Sequence, residues 1–223
     1  AGMKRYHKDL KATTFEDIIA MVAIYRPGPM QFIDSFIRRK HGEEPITYLH
    51  PGLEGALKNT YGILIYQEQF MQASKEWCGF TGGQADTLRK AVGKKKIKLM
   101  EKVKPDFIEG AQKVGGATKE QAEKFWDQLL DFANYCFNKS HATAYAVTSY
   151  VGAYLKANYP TAFYTVALQW ADDDELVTLM GEMEACSNAK VVPPDINVSE
   201  DAFHTDYNTD SIFWSLSRVK QLG

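Results

Sequence analysis

The chain has 223 residues, of which 45% are hydrophobic and 24% are charged, and its formal net charge is −2. This composition predicts a soluble globular protein with one large or two smaller domains. No apolar run approaches twenty residues and no signal pattern is present, so we expect no membrane partner. The three cysteines are widely spaced, which predicts reduced thiols in a cytoplasmic protein and no cysteine metal site.

The charge is unevenly distributed along the chain. Residues 1–170 carry 23 basic and 17 acidic groups, whereas residues 171–223 carry 3 basic and 11 acidic groups. A basic body favours nucleic-acid or phosphate partners, and an acidic segment is repelled by them. We therefore expect the two parts to have different roles.

The first predicted helix is followed by a stiff loop. Thr13 or Thr14 is placed to cap a helix that ends before Pro27. The segment Ala23–Met30, AIYRPGPM, predicts a rigid turn that gives Arg26 a defined direction, with an ordinary loop as the alternative.

Two more helices are predicted before residue 80. One covers residues 32–39 and ends in the basic sequence RRKHG. The segment His50–Trp77 predicts a turn followed by a long amphipathic helix. Gln67, Glu68 and Gln69 are candidates for polar contacts across a groove, or for simple surface exposure. Its apolar face carries Tyr66, Phe70, Ala73 and Trp77.

The most basic stretch of the chain is Gly82–Lys104, with eight basic and two acidic side chains. The spacing of its apolar residues predicts a helix over residues 84–92. Arg89 and Gly93 lie on one face of this helix, with Lys90 and Lys94 one turn apart beside them. Because Gly93 leaves the backbone bare, a phosphate can approach both main chain and side chains. The stretch predicts a polyanion site; a solvated lysine-rich helix is the alternative.

Helices are also predicted over residues 105–114, after Thr118, and from Ala142 onward, where small residues allow close packing. Asn138, Lys139, Ser140 and His141 come at the start of the last of these helices. They predict an anion or nucleobase site at a positive helix end, with a buried structural histidine as the alternative.

The predicted C-terminal part is a small α+β segment. Residues 172–175 are four consecutive carboxylates, which are typical of a helix cap and first turn; a metal site is the alternative. Residues 191–199 and 211–219 predict short strands around a proline turn. The predicted fold is thus mainly α, with a helical body over residues 1–170 and an α+β appendage over residues 171–223.

Known catalytic patterns are missing from the sequence. It contains no Walker A loop, no nucleophile elbow and no pair of carboxylates suited to magnesium-assisted phosphoryl transfer. We therefore predict no catalytic residue and no bound metal in this chain. Its features are those of the phosphate-binding half of an active site.

Six motifs follow one another along the chain: YRPGPM, RRKHG, HPGLEGALKNTYGILIYQEQFM, GGQADTLRKAVGKKK, FNKSHATAYAVTSYVGAYLKANYP and VVPPDIN. Together they resemble the C-family replicative polymerases, the alpha subunits of bacterial DNA polymerase III. The resemblance covers nearly the whole chain and corresponds to the family's fingers region and the link toward a tandem helix-hairpin-helix module. At the C-terminus, SLSRVKQLG resembles the start of that module, but Gln221 stands where the family has glycine.

The resemblance implies roles for ten residues. Arg89 and Lys90 match the two cations that hold the triphosphate in the family, and Lys94 lies beside them. Lysine replaces the family's second arginine, so charge is kept but a bidentate grip is lost. The nascent base pair and nucleotide are expected to lie against Asn138, Lys139, Ser140 and His141. Supporting roles are expected for Arg26, Tyr66 and Gln67.

The implied reaction is two-metal nucleotidyl transfer from a deoxynucleoside triphosphate (dNTP) to a primer 3′ hydroxyl. In the family the palm domain precedes the fingers and holds Mg²⁺ on its aspartates, so these are expected upstream of Ala1 and the chain alone is expected to be inactive. The implied partners are primer-template DNA, dNTP, the palm domain and other replicase subunits, including the sliding clamp. The alternatives are a non-enzymatic helical module that binds nucleic acid and a helical scaffold for protein assembly.

Overall fold

The computed structural model describes residues 2–220, so the prediction made at Gln221 lies outside the described residues. Those residues form eleven α-helices and three short strands, which confirms the mainly α fold class with a small α+β appendage. The helices are α1 Gly2–Leu10, α2 Phe15–Ile24, α3 Ile33–Lys40, α4 Glu54–Leu57, α5 Gln67–Glu76, α6 Gly82–Gly93, α7 Ile97–Lys113, α8 Lys119–Phe132, α9 Lys139–Asn158, α10 Pro160–Trp170 and α11 Asp173–Cys186. The strands are β1 Lys190–Val192, β2 His204–Asp206 and β3 Ser211–Phe213.

The chain divides into two compact units, Ala1–Ala146 and Val147–Gly223. All ten residues with an implied role lie in the first unit. The functional boundary expected at residue 170 stays a prediction.

Helix α2 begins at Phe15, directly after its capping residue Thr14. The Thr14 hydroxyl accepts a hydrogen bond from the Asp17 amide, and Asp17 Oδ2 accepts from the amides of Thr13 and Thr14. These bonds satisfy amides that the helix itself leaves unpaired. Asp17 also binds Lys40 of α3 and the hydroxyl of Tyr61, so the cap joins three parts of the first unit.

Two hydrophobic clusters form the core of the first unit. One packs α5, α6, α7 and α8 around aromatic side chains that meet mostly edge to face, including Trp77, Phe107 and Phe125. The other packs α1, α2 and α3 against the start of α9, where Ala142 and Ala146 are fully buried. Tyr66 belongs to the second cluster and Phe70 to the first, so α5 begins at the place where the two clusters meet.

The basic stretch contains α6 and the first turns of α7, whereas the sequence predicts only the first of these helices within it. Helix α6 ends at Gly93, a turn follows with Lys95 in the left-handed region at φ 50°, and α7 begins at Ile97. The predicted start at Pro105 is wrong, because Pro105 lies inside α7. Met100 and Phe107 are buried on the two sides of Pro105, and this burial outweighs the cost of about 3 kcal/mol for an interior proline.

The second unit contains α10, α11 and the sheet, whose strand order is β1-β3-β2. Strand β1 is parallel to β3, and β2 is antiparallel to it. The predicted strands are too long: β1 stops at Val192 because two prolines without N–H groups follow, and residues 216–218 form a 3₁₀ helix. Strand β2 was not predicted. Asp172 Oδ1 accepts a hydrogen bond from the Glu175 amide, which confirms the interpretation of this acidic run as a helix cap.

No helix within residues 2–220 is long and apolar enough to cross a membrane.

Candidate nucleotide-binding site

The last turns of α6 carry two cations that share one carboxylate. Arg89 donates from Nε and Nη2 to Asp86 Oδ1 at 2.9 and 2.8 Å, and Lys90 Nζ lies 2.7 Å from Asp86 Oδ2. Hydrogen bonds from Lys90 and then from Arg89 lower the pKa of Asp86, so it stays ionised. Asp86 thus sets the direction of both cations along the helix surface, at the spacing of neighbouring turns.

Both cations keep donors available. Arg89 Nη1 makes no hydrogen bond or ion pair within residues 2–220, and the Lys90 side chain is more than half exposed. Lys94 caps the end of α6, is exposed, and forms no ion pair with any described residue. Arg89, Lys90 and the adjacent Lys94 can therefore bind a polyanion while the contacts of Arg89 and Lys90 with Asp86 are kept.

Gly93 and Gln67 bring the end of α6 next to the start of α5. A Cβ atom at Gly93 would lie 3.2 Å from Gln67 Nε2, so the two helices approach closely at this point. Gln67 Nε2 also donates to Cys136 Sγ, and the Gln67 amide donates to the Phe137 carbonyl at 2.8 Å. Gln67 therefore connects the two predicted clusters of site residues, which lie far apart in the sequence.

The Asn138–His141 segment is anchored by a carboxylate from α5. Asn138 Nδ2 donates to Glu68 Oε1 and the Lys139 amide donates to Glu68 Oε2, both at 3.0 Å. The Asn138 side-chain oxygen accepts from the His141 amide at 2.9 Å, as an N-cap residue does. Lys139 Nζ pairs with Glu16 of α2 at 2.8 Å. The first turn of α9 is thus fixed from two directions.

Asn138, Ser140 and His141 are the exposed residues of this segment. The His141 ring lies between Phe137 and Tyr145, with ring centroids 5.6 and 4.8 Å away. The alternative of a buried structural histidine is therefore wrong. An exposed ring in an aromatic row is suited to stacking on a planar ligand.

The three predicted supporting residues lie directly behind this turn. Arg26 donates to the carbonyls of Ala23 and Tyr135, and its guanidinium lies 4.6 Å from the Phe137 ring centroid. Burial lowers the pKa of Arg26, although the nearby Cys136 acts in the opposite direction.

Tyr66 is 2% exposed, and Lys139 Nζ lies 5.4 Å from its ring centroid. Its hydroxyl has no hydrogen-bond partner within residues 2–220. Burial, followed by the charges of Glu16 and Glu68, raises the pKa of Tyr66 well above its ordinary value. The side chain therefore stays neutral behind the first turn of α9.

Sequence reasoning did not find Asp86 and Glu16, and it did not find the partners of Glu68, the three carboxylates that hold these residues in place. Asp86 lies three and four residues before its partners, so helical spacing was a usable signal. Glu68 and Glu16 lie 71 and 123 residues from Lys139 along the chain, and no local pattern indicates either pairing.

The carboxylates at this site do not fit a magnesium ion. Asp86, Glu68 and Glu16 are each bound by cations or N–H donors, which leaves no set of free oxygens around a common point. Among the described residues, no group of three His, Cys, Asp or Glu side chains is placed to hold a metal.

Comparison with known proteins agrees with the motifs. The model of the bacterial DNA polymerase III alpha subunit finger domain matches residues 1–115. The DNA polymerase III alpha subunit of Aquifex aeolicus is 45% identical over the whole of this chain, which covers 19% of that protein. Those of Escherichia coli K12 and Thermus aquaticus are 43% and 42% identical, also over the whole chain, which covers 20% and 18% of them. The chain thus spans about a fifth of the length of these relatives and belongs to the family of bacterial DNA polymerase III alpha subunit finger domains.

Proposed function

We propose that this chain is the fingers part of a DNA-directed DNA polymerase and binds the incoming dNTP and the nascent primer-template base pair. The observation that carries the proposal is the contact of Gln67 with both sets of predicted site residues, the cations at the end of α6 and the Asn138–His141 segment. It lies against Gly93 at the end of α6 and binds residues 136 and 137, which lead into the first turn of α9. Cations and an exposed aromatic ring are thereby presented by neighbouring elements of one compact unit.

Each cluster has a distinct task in this proposal. Arg89, Lys90 and Lys94 neutralise the β- and γ-phosphates and the leaving pyrophosphate, where charge accumulates during transfer. The first turn of α9, Asn138 to His141, forms the surface for the base and sugar, with the exposed His141 ring available for stacking. Arg26, Tyr66 and Gln67 support this turn from behind.

We further propose that the chain does not catalyse nucleotide transfer by itself. Its carboxylates do not fit Mg²⁺, so the metal of the proposed reaction is assigned to carboxylates outside this chain, on a palm domain. The proposed partners are primer-template DNA, dNTP, that palm domain, and further replicase subunits with the sliding clamp, in the cytoplasm.

The test is Arg89→Ala in the full-length alpha subunit that carries this chain. We expect single-turnover dNTP incorporation to fall about ten- to a thousandfold, because a charge-assisted contact to the leaving group is lost. Lys113→Ala, which removes an exposed cation of α7 paired with Glu109, is the matched control and leaves incorporation unchanged. An Arg89→Ala enzyme with unaltered single-turnover kinetics overturns the proposal.

A non-enzymatic nucleic-acid module is the second candidate, and the turn after α6 favours it. Lys95, Lys96 and Lys98 are exposed and form no ion pairs with the described part of the chain. A backbone binder spreads affinity over such lysines and shows a steep salt dependence, whereas a nucleotide pocket depends on a few placed cations.

Titrations of this chain with dNTP and with primer-template DNA, at several salt concentrations, separate the two candidates. Arg89→Ala/Lys90→Ala abolishes dNTP binding and largely spares DNA binding if these cations form a nucleotide pocket. The lysine-turn variant Lys95→Ala/Lys96→Ala is the counterpart and weakens DNA binding more than dNTP binding. Loss of DNA binding in the first variant, with no dNTP binding in the wild type, indicates either the nucleic-acid module or a nucleotide pocket that needs the palm domain. Repeating the titration with the palm domain added decides between them.

A further inference from the structure

We infer that Glu68 is the positioning residue of the base-and-sugar surface, through its hold on the first turn of α9. The inference rests on the proposed function and concerns a residue for which the sequence suggests only polar contacts across a groove or surface exposure, without a partner. Glu68 is in the first turn of α5, and its half-buried carboxylate reaches a segment 70 residues later in the chain.

In the hydrogen bonds between Glu68, Asn138 and the two backbone amides, each group can act only as the donor or only as the acceptor. A backbone amide is only a donor, so the Lys139 amide requires an acceptor, which is Glu68 Oε2. Asn138 uses its side-chain oxygen to accept from the His141 amide and its nitrogen to donate to Glu68 Oε1. Reversing the Asn138 amide would place donor against donor at His141. The carboxylate of Glu68 therefore fixes which way Asn138 points, and Asn138 fixes the turn that carries His141.

Backbone hydrogen bonds also hold the start of α5 beside the start of α9. The Gln67 amide donates to the Phe137 carbonyl, and the Phe137 amide donates to the Ile65 carbonyl. This short parallel pairing brings Glu68 opposite the start of α9, where a negative charge is favoured by the helix dipole. The exposed residues Ser140 and His141 take their positions from these internal contacts.

Two isosteric substitutions test the arrangement and a third restores it. Glu68→Gln has one oxygen and one NH₂ group, so with Asn138 and two backbone amides one donor must face another donor. Asn138→Asp sets two carboxylates against each other. The double variant Glu68→Gln/Asn138→Asp exchanges the amide and the carboxylate between the two positions. The new amide at position 68 accepts from the Lys139 backbone amide and donates to the new carboxylate at position 138, which still accepts from the His141 backbone amide. The double variant recovers every hydrogen bond and the original charge.

The variants are compared in the full-length alpha subunit by single-turnover incorporation at varied dNTP concentration. We expect each single variant to raise the apparent Kd for dNTP about tenfold, since a small displacement of a positioning surface has large kinetic effects. The double variant returns to within about twofold of the wild type, as expected for coupled neighbours. Primer-template affinity and melting temperature stay close to wild type, which separates positioning from a general loss of structure. Glu184→Gln, an exposed carboxylate of α11, is the control for the isosteric change.

Amide hydrogen exchange in the first turn of α9 gives an independent measurement. Protection falls in each single variant and recovers in the double variant. The inference is overturned if the double variant shows no rescue of dNTP affinity, or if the single variants bind dNTP as the wild type does while Arg89→Ala is impaired. If exchange shows the loss and the rescue but neither Glu68→Gln nor Arg89→Ala alters nucleotide use, the proposed function itself fails, and the inference fails with it.

Discussion

Replacing Lys40 by Met removes the cation from a buried carboxylate while keeping a side chain of similar volume. The Lys40 and Asp17 side chains are 6% and 2% exposed, and Nζ lies 2.8 Å from Asp17 Oδ2. Three further donors bind Asp17: the amides of Thr13 and Thr14 and the Tyr61 hydroxyl, at 3.0, 3.1 and 3.0 Å. The substitution leaves these donors in place but leaves a buried negative charge without its positive partner.

Breaking a buried ion pair from one side costs about 3–5 kcal/mol, and the three remaining donors place the expected loss near the lower value, about 3 kcal/mol. For a chain of this size that corresponds to a fall in melting temperature of roughly 6–12 °C. Burial opposes ionisation of Asp17, but hydrogen bonds from Lys40, Thr13, Thr14 and Tyr61 lower its pKa below the ordinary value. A lowered folded-state pKa stabilises the fold above the unfolded pKa and loses this effect as the pH falls through the folded pKa. The difference between Lys40→Met and wild type is therefore greatest near neutral pH and shrinks in acid.

Urea unfolding followed by circular dichroism, between pH 7 and pH 3, measures this difference. Lys40→Met/Asp17→Asn is expected to be more stable than Lys40→Met alone, because an Asn oxygen still accepts from the Thr13 and Thr14 amides without a buried charge. Lys113→Met, which removes an exposed ion pair with Glu109, is the control and leaves the midpoint nearly unchanged. A Lys40→Met midpoint equal to that of Lys113→Met refutes the reasoning.

Three further predictions use other parts of the chain. Gly110→Ala destabilises the protein despite alanine's higher helix propensity, because its Cβ would clash with the Cys78 carbonyl oxygen. Gly181→Ala, with open space around it, is neutral or stabilising by up to about 1 kcal/mol in the same urea assay. Burial raises the pKa of the Cys78 thiol to about 12, so a thiol reagent modifies the exposed Cys186 first and Cys78 only after unfolding; early modification of Cys78, found by mass spectrometry, contradicts this. Asp86→Asn leaves Arg89 and Lys90 without their shared negative charge, so calorimetry is expected to show tighter binding of inorganic tripolyphosphate; weaker binding means that orientation by Asp86 outweighs its charge.

Local signals located the helices that carry the site. Thr14, Thr81 and Thr118 each accept a hydrogen bond from the amide three residues later, and this spacing of Thr with Asp or Gln is visible in the sequence. The sequence predicts Thr118 and either Thr13 or Thr14 as caps, and the spacing of apolar residues predicts α6 to within two residues of its start. Local capping rules are effective here because each satisfies amides within a single turn.

Contacts between segments that are distant in the chain could not be predicted from the sequence. The start of α7 was misplaced because burial of Met100 and Phe107 outweighs the local effect of Pro105. The hold of Glu68 on Lys139 joins residues 71 positions apart, so only the packing of α5 against α9 decides it. Glu68 had been considered for polar contacts across a groove, but its partners were not predictable from spacing.

In the proposed function, the side-chain charges around the two helix ends favour one position for the phosphates, and they act against the helix dipoles. Dipoles alone favour an anion at the start of α9 and disfavour one at the end of α6, each by about half an elementary charge. At the start of α9, however, Glu16 and Glu68 oppose Lys139 and the nearby Arg26, so these ionised side chains carry no net charge. At the end of α6, Arg89, Lys90 and Lys94 face one carboxylate, Asp86, with a net charge of +2. With the dipoles included, these ends carry about +0.5 and about +1.5 charges, so side-chain charge supports the proposed placement of the triphosphate at α6 and of the uncharged base and sugar at the first turn of α9.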